Sequence, residues 1–148
     1  AWKAIRASDG ALITPDGSGT TSGSIKLNVV SGKAVWDTTI TDQKDEGRGC
    51  SFKDITAGSA VGDAAKLVLM ALALMPDAAL TGTGIDTTYG GDYFWFNNGA
   101  EERLPNRGGG WSHGGGAGLF NLDLGYSRAG SRWDFGGRSA FVELPAES

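Results

Sequence analysis

Residues 25–29 read Ile25-Lys26-Leu27-Asn28-Val29, and after Ser31-Gly32 the alternation resumes at Ala34, Trp36, Thr38 and Ile40. A period of two places Ile25, Leu27 and Val29 on one face of a strand, and the tight glycine-containing turn between the runs predicts a β-hairpin. Upstream, Ala11–Thr14 predicts a short strand ahead of the Pro15-Asp16-Gly17 turn, and the Gly/Ser/Thr stretch up to Ser24 reads as loop. The pattern changes at Asp63–Met75, DAAKLVLMALALM. Alanine, leucine and methionine favour a helix there, Asp63 suits its first turn, and Pro76 supplies a stop. Beyond Lys66 this segment is apolar all round, which predicts packing on more than one side, with Met70 and Met75 as core filler. Tyr93-Phe94-Trp95-Phe96 follows. Alternate rings of a strand point to opposite sides, so one pair is expected in the core and the other under loops or at the surface. From Gly118 to Tyr126, Phe120, Leu122 and Leu124 share one face and Leu119, Asn121 and Asp123 the other. A last alternation, Ser139 to Leu144, points Ala140, Val142 and Leu144 inward. One helix among short strands predicts a mixed α+β architecture.

Composition narrows the function. A chain of 148 residues, 40% hydrophobic and 20% charged, can bury one core, and 25 glycines favour turns and short strands over long helices. The net charge of −4 argues against a nucleic-acid partner, because phosphate binding needs a clustered basic surface. Cys50 is the only cysteine, so it forms no internal disulfide and is expected as a small buried residue. The start, AWKAIRASDG, lacks the apolar core of an export signal, and the run Leu67–Met75 is shorter than the ~20 residues that span a bilayer. Synthesis in the cytoplasm without membrane insertion is the resulting expectation. Asp42, Asp45 and Glu46 offer carboxylates for a cation, but the spacing is not that of a calcium loop and favours a solvated loop.

The stretch Arg107–Leu144 carries the candidate chemistry. Trp111, Phe120, Leu122, Leu124, Trp133 and Phe135 are spaced through a glycine-rich segment as anchors. Between them Ser112, His113, Asn121, Asp123, Tyr126, Ser127, Arg132 and Asp134 show no obvious packing role in the pattern and are expected on display. Tyr126, Arg132 and Trp133 suit binding energy best, since such side chains bring a large rigid area and a polar tip; for Trp133 a place in the core is an equal alternative. Arg107 and Arg138 are expected as buried scaffold arginines that donate to loop carbonyls rather than hold an anion. His113 is the sole histidine, which leaves neither a metal cluster nor a catalytic triad. No Gly-Lys-Ser/Thr ending follows the glycine runs, so they do not form a phosphate loop.

One pattern joins these features: Tyr93 to Asn98, Gly99, Glu102, Arg103, Arg107-Gly108-Gly109, Trp111, Gly114, Ala117-Gly118, Phe120, Leu122, Leu124, Arg128, Ser131, Gly136, Arg138 and Ala140. It resembles the C-type lectin-like domain of phage receptor-binding proteins, the family of the major tropism determinant and other variable proteins of diversity-generating retroelements. Their broader relatives have the formylglycine-generating-enzyme type of fold. The resemblance implies a C-type lectin-like α+β fold with short twisted antiparallel strands, one buried helix and an irregular glycine-rich C-terminal region. It implies a ligand face at Ser112, His113, Gly115, Gly116, Asn121, Asp123, Gly125, Tyr126, Ser127, Gly130, Arg132, Trp133 and Asp134. Gly137 stands where the family usually has phenylalanine, which removes a ring from the expected packing. Residues 1–50 would form a hairpin region for docking or oligomerisation, as a separate element or part of the same domain, and 51–148 the lectin-like domain. Catalysis is not expected: the oxidative relatives need site cysteines, and Cys50 lies outside the matching stretch, while the iron-dependent ones need a histidine cluster. The implied protein is a non-catalytic adhesin at a virion tail or fibre tip, trimeric, without cofactor or metal. Its partners would be a host-surface protein or glycan and other tail proteins. A structural virion component and a bacterial ligand-display module are the alternatives.

Overall fold

A computed structural model of the chain describes residues 3–18, 20–77, 91–99, 103, 105–109 and 118–126. Over these residues the architecture is mixed α+β, mostly sheet with one α-helix. The hairpin forms as its alternation predicts. Strands β3 (Lys26–Val30) and β4 (Lys33–Asp37) pair antiparallel with Leu27 opposite Trp36 and Val29 opposite Ala34. Ser31 and Gly32 both adopt positive φ, 50° and 77°, the twist that a two-residue hairpin turn requires. Val29, Ala34 and Trp36 enter the core, and Ile25 and Leu27 pack against its edge. Asn28, on the opposite side of β3, is buried as well: its Oδ1 accepts the Thr41 N–H at 2.9 Å and the Asp42 N–H at 3.3 Å. At Asn28 the outer side of β3 is therefore covered by the loop that follows the hairpin.

The shorter strands complete the frame. β1 (Ala4–Ile5) pairs antiparallel with β2 (Leu12–Ile13), inside the segment Ala11–Thr14. β5 (Arg48–Ser51) leads through a short 3-10 turn, Phe52–Asp54, into β6 (Thr56–Ala57), which runs parallel to β4. β7 (Tyr93–Phe96), β8 (Asn106–Arg107) and β9 (Leu122–Leu124) join β5 in a four-stranded sheet of order β5-β7-β9-β8. One core contains Val29, Ala34, Trp36, Cys50, Phe52, Phe94, Phe96 and Leu122, so positions before and after residue 50 share it.

Helix α1 is shorter than its composition predicts and buries a single face. It spans Asp63–Ala71, with Ala65 and Leu69 buried one turn apart, while Leu67 is 63% and Leu72 52% exposed. Packing on more than one side is thus not found among the described residues. Pro76 is not what stops it. Ala73 takes a left-handed conformation with φ 51°, its N–H donates to Met70 O, and the Leu74 N–H reaches back to Leu69 O, both at 2.8 Å. These two bonds form a Schellman cap, which satisfies the terminal carbonyls and ends the helix four residues before the segment does. Trp36 Nε1–H then donates to Leu74 O at 2.9 Å, and Met75 turns into the core. The expected strand from Ser139 to Leu144 lies outside the described residues.

Candidate functional site

The four-stranded sheet has a buried face and an open one, and its register decides which side chain goes where. Phe94 pairs with Cys50 on one side and Leu122 on the other, and Phe96 with Arg48 and Leu124. Phe94, Phe96 and Leu122 are fully buried. The opposite face carries a row that crosses all four strands in register: Gly49, Trp95, Asp123 and Asn106. Tyr93 stands one step along β7 from this row, its ring 4.6 Å from that of Trp95 and tilted by 49°. Trp95 is 44% exposed. Gly49 lets these rings lie over β5, since a Cβ there would fall 2.3 Å from Tyr93 Cε1 and 2.9 Å from Phe94 O. Asp123 Oδ1 accepts the Gly125 N–H at 2.7 Å, which fixes the carboxylate beside the indole's strand. The result is a rigid, shallow aromatic surface with an acid beside it.

Of the residues expected on display, Asp123 and Tyr126 are half-buried. Asn121 is not displayed. It is 1% exposed, at the end of a tight turn in which its own N–H donates to Gly118 O, and its carbonyl accepts the Gly108 N–H. Alternation along β9 does not reach back to it, because the strand begins only at Leu122. The buried Asp92 carboxylate accepts the Phe120 N–H at 2.6 Å in this turn and leaves no room for a Cβ at Gly118, which would lie 2.0 Å from Oδ1. Ser112, His113, Ser127, Arg132, Trp133 and Asp134 lie outside the described residues, as do Gly115, Gly116 and Gly130. Tyr93 and Trp95 were not among the expected contacts. The alternation of the aromatic block predicts one outward pair, but the in-register carboxylate comes from a strand far away in sequence.

The acidic loop ahead of β5 is held by ion pairs. Arg48 donates to Asp42 at 2.7 Å, Arg103 to Asp45 at 3.2 Å, and Lys44 lies 3.5 Å from Glu46. Asn98, buried at the end of β7, accepts from Lys44 N–H and the Arg48 guanidinium and donates to Leu27 O and Asp42 O. Among the described residues no group of histidine, cysteine and carboxylate side chains could hold a metal. Arg107 donates to Leu72 O and Ala73 O, both at 2.7 Å, so it binds loop carbonyls at the helix end as expected, but from an exposed rather than a buried position; desolvation of the guanidinium lowers its pKa. Cys50 is buried in the core and its thiol is pushed up, chiefly by desolvation.

A cavity of about 360 Å³ opens between β1, β3 and the ends of β7 and β9. Pro15, Ile25, Leu27, Ile40 and Leu124 give it apolar walls. Two of its polar side chains are held by backbone: Lys26 Nζ donates to Thr21 O, Ser24 O and Thr38 O, and Ser24 Oγ donates to Thr21 O. Its described lining contains no carboxylate, histidine or cysteine to move a proton. No helix among the described residues is long and apolar enough to cross a membrane. No protein-family model matches the chain, and no curated protein matches it either.

Proposed function

We propose that the protein is a non-catalytic adhesin of C-type lectin-like fold, a homotrimer carried at a virion tail or fibre tip, whose open sheet face grips a host-surface receptor. The observation that carries this reading is the Tyr93–Trp95 pair, held outward on a rigid strand next to Asp123. Half-exposed aromatic side chains with a polar neighbour are the chemistry of interface hot spots, and the strand beneath limits the entropy lost when a partner binds. Tyr126, half-buried two residues beyond β9, is a further described residue of the expected contact set. Catalysis finds less support, because the described lining of the cavity carries no carboxylate, histidine or cysteine and its Lys26 ammonium is held by three backbone carbonyls. The resemblance of the C-terminal third to phage receptor-binding domains supplies the virion context, tail proteins as neighbours and the absence of a cofactor.

The test substitutes alanine at Trp95, Tyr126, Arg132 and Trp133 in particles that carry the protein. Particles that assemble normally and fail to adsorb to host cells are the expected result. Particles that fail to assemble would place the protein among structural virion components, and unchanged adsorption would refute a receptor-binding role for this region.

A further inference from the structure

Strand β3 is an edge of its sheet, and its outer side is taken up only in part. The two-residue turn makes Val30 and Lys33 a hydrogen-bonded pair, and alternation does the same for Asn28 with Val35 and Lys26 with Asp37. The N–H and C=O groups of Ile25 and Leu27 therefore point away from β4. Two of these four are taken: the Ile25 N–H donates to Ile5 O at 2.8 Å, and Leu27 O accepts from Asn98 Nδ2 at 3.2 Å. Between those bonds the Ile25 C=O and the Leu27 N–H have no hydrogen-bond partner among the described residues, since pairing on that side stops at the Arg6–Ser24 bridge. The cavity of about 360 Å³ opens at this point of the edge, with Ala4, Ile25, Lys26, Leu27 and Asn98 in its wall. A backbone acceptor and donor side by side at an apolar cavity are the template on which an added strand pairs.

We propose that this gap seats a short extended segment of a partner protein, aligned parallel to β3, with an acidic residue between two apolar ones. In a parallel pairing one incoming residue, opposite Lys26, donates its N–H to Ile25 O and accepts the Leu27 N–H, while its two neighbours turn their polar groups away. An antiparallel segment would aim further groups at the Ile25 N–H and Leu27 O, which are already bonded. The flanking side chains share the side of Ile25 and Leu27, two of the cavity's apolar walls. The central side chain shares the side of Lys26. Three neutral carbonyls hold that ammonium and leave its charge uncancelled, whereas Arg103, the other cation of the described lining, faces Asp45. With no carboxylate in that lining, an acid is the complementary residue. The described lining includes neither Tyr93 nor Trp95, so the seat stands apart from the receptor-binding face and does not depend on that reading.

The full chain, labelled with nitrogen-15 at leucine, is titrated with acetyl-Val-Glu-Val-amide and followed by amide NMR. Leu27→Ile, which keeps an apolar side chain on the strand, identifies the Leu27 signal by its loss. A saturable downfield shift of the Leu27 amide proton is expected, as a new acceptor reaches it. Methylating the glutamate nitrogen of the peptide removes the donor for Ile25 O and should weaken binding about fivefold. Lysine in place of that glutamate should weaken it about threefold, through repulsion from Lys26. A Leu27 signal that does not move, or equal binding of the methylated or the lysine peptide, overturns the proposal. Binding that appears only after Val142→Pro would assign the edge to the chain's own alternation Ser139 to Leu144, and it overturns a partner segment as well.

Discussion

Asn98 is the residue on which loop, hairpin and sheet converge, and replacing it with alanine should be the most costly single change among the polar residues described. It sits 6% exposed at the end of β7 and uses its full hydrogen-bonding capacity. Its Oδ1 accepts the Lys44 N–H at 3.1 Å and the Arg48 guanidinium, and its Nδ2 donates to Leu27 O at 3.2 Å and Asp42 O at 2.8 Å. At about 1 kcal/mol net for each bond, complete loss would cost ~4 kcal/mol. Water admitted to the gap restores part of it, which leaves an expected destabilisation of about 2–4 kcal/mol. For a chain of this length that is a fall in Tm of roughly 6–12 °C. Urea unfolding followed by circular dichroism measures it, with the m-value unchanged if only the native state is affected. The coupling is equally specific. Arg48→Met should interact with Asn98→Ala by at least ~0.5 kcal/mol in a double-mutant cycle, because the two side chains share one bond and both hold Asp42. A loss below about 1 kcal/mol, or strict additivity, would refute the idea that this amide clasps the loop to the sheet.

Three further outcomes follow from the geometry. Gly49→Ala gains ~0.5–1 kcal/mol of strand propensity but sets a Cβ 2.9 Å from Phe94 O, so a net loss of about 1–2 kcal/mol is expected in urea unfolding; added stability would contradict the contact. Ala73→Gly relieves a left-handed alanine at the helix cap and should raise stability by ~0.5–1 kcal/mol by the same method, after the extra flexibility of glycine in the unfolded chain is offset. Asp9 has its carboxyl lowered to about 2, first by the Arg6 side-chain hydrogen bond and then by the Ala11 N–H. Its folded pKa lies below the unfolded one, so whatever it adds to stability is present above pH ~4 and disappears as pH falls toward about 2. Carbon-13 NMR titration of Arg6→Gln should return Asp9 toward the ordinary carboxylate range, and an unmoved midpoint would exclude Arg6 as the cause.

The chain's local pattern settled the hairpin, the short strand at Leu12–Ile13, the burial of Cys50 and the division of the aromatic block into inward Phe94 and Phe96 and outward Tyr93 and Trp95. Each depends on near neighbours: a two-residue period, a turn dipeptide, a small apolar side chain among larger ones. The helix limit was not legible in the same way. An apolar run of good helix formers gives no sign that Ala73 will turn left-handed, because the ending is shared with Trp36 and Arg107, distant residues that take the carbonyls of Leu72, Ala73 and Leu74. Asn121 differs for a related reason. Alternation assigns it to the open face, yet β9 starts one residue later, and the Gly118 and Gly108 backbones fix the turn that buries it. The row of Gly49, Trp95, Asp123 and Asn106 belongs wholly to tertiary structure. Local sequence sets which side of its own strand each side chain takes, but β7 finds β5 from 42 residues back and β9 beside it in parallel, and only that pairing brings an indole and a carboxylate together.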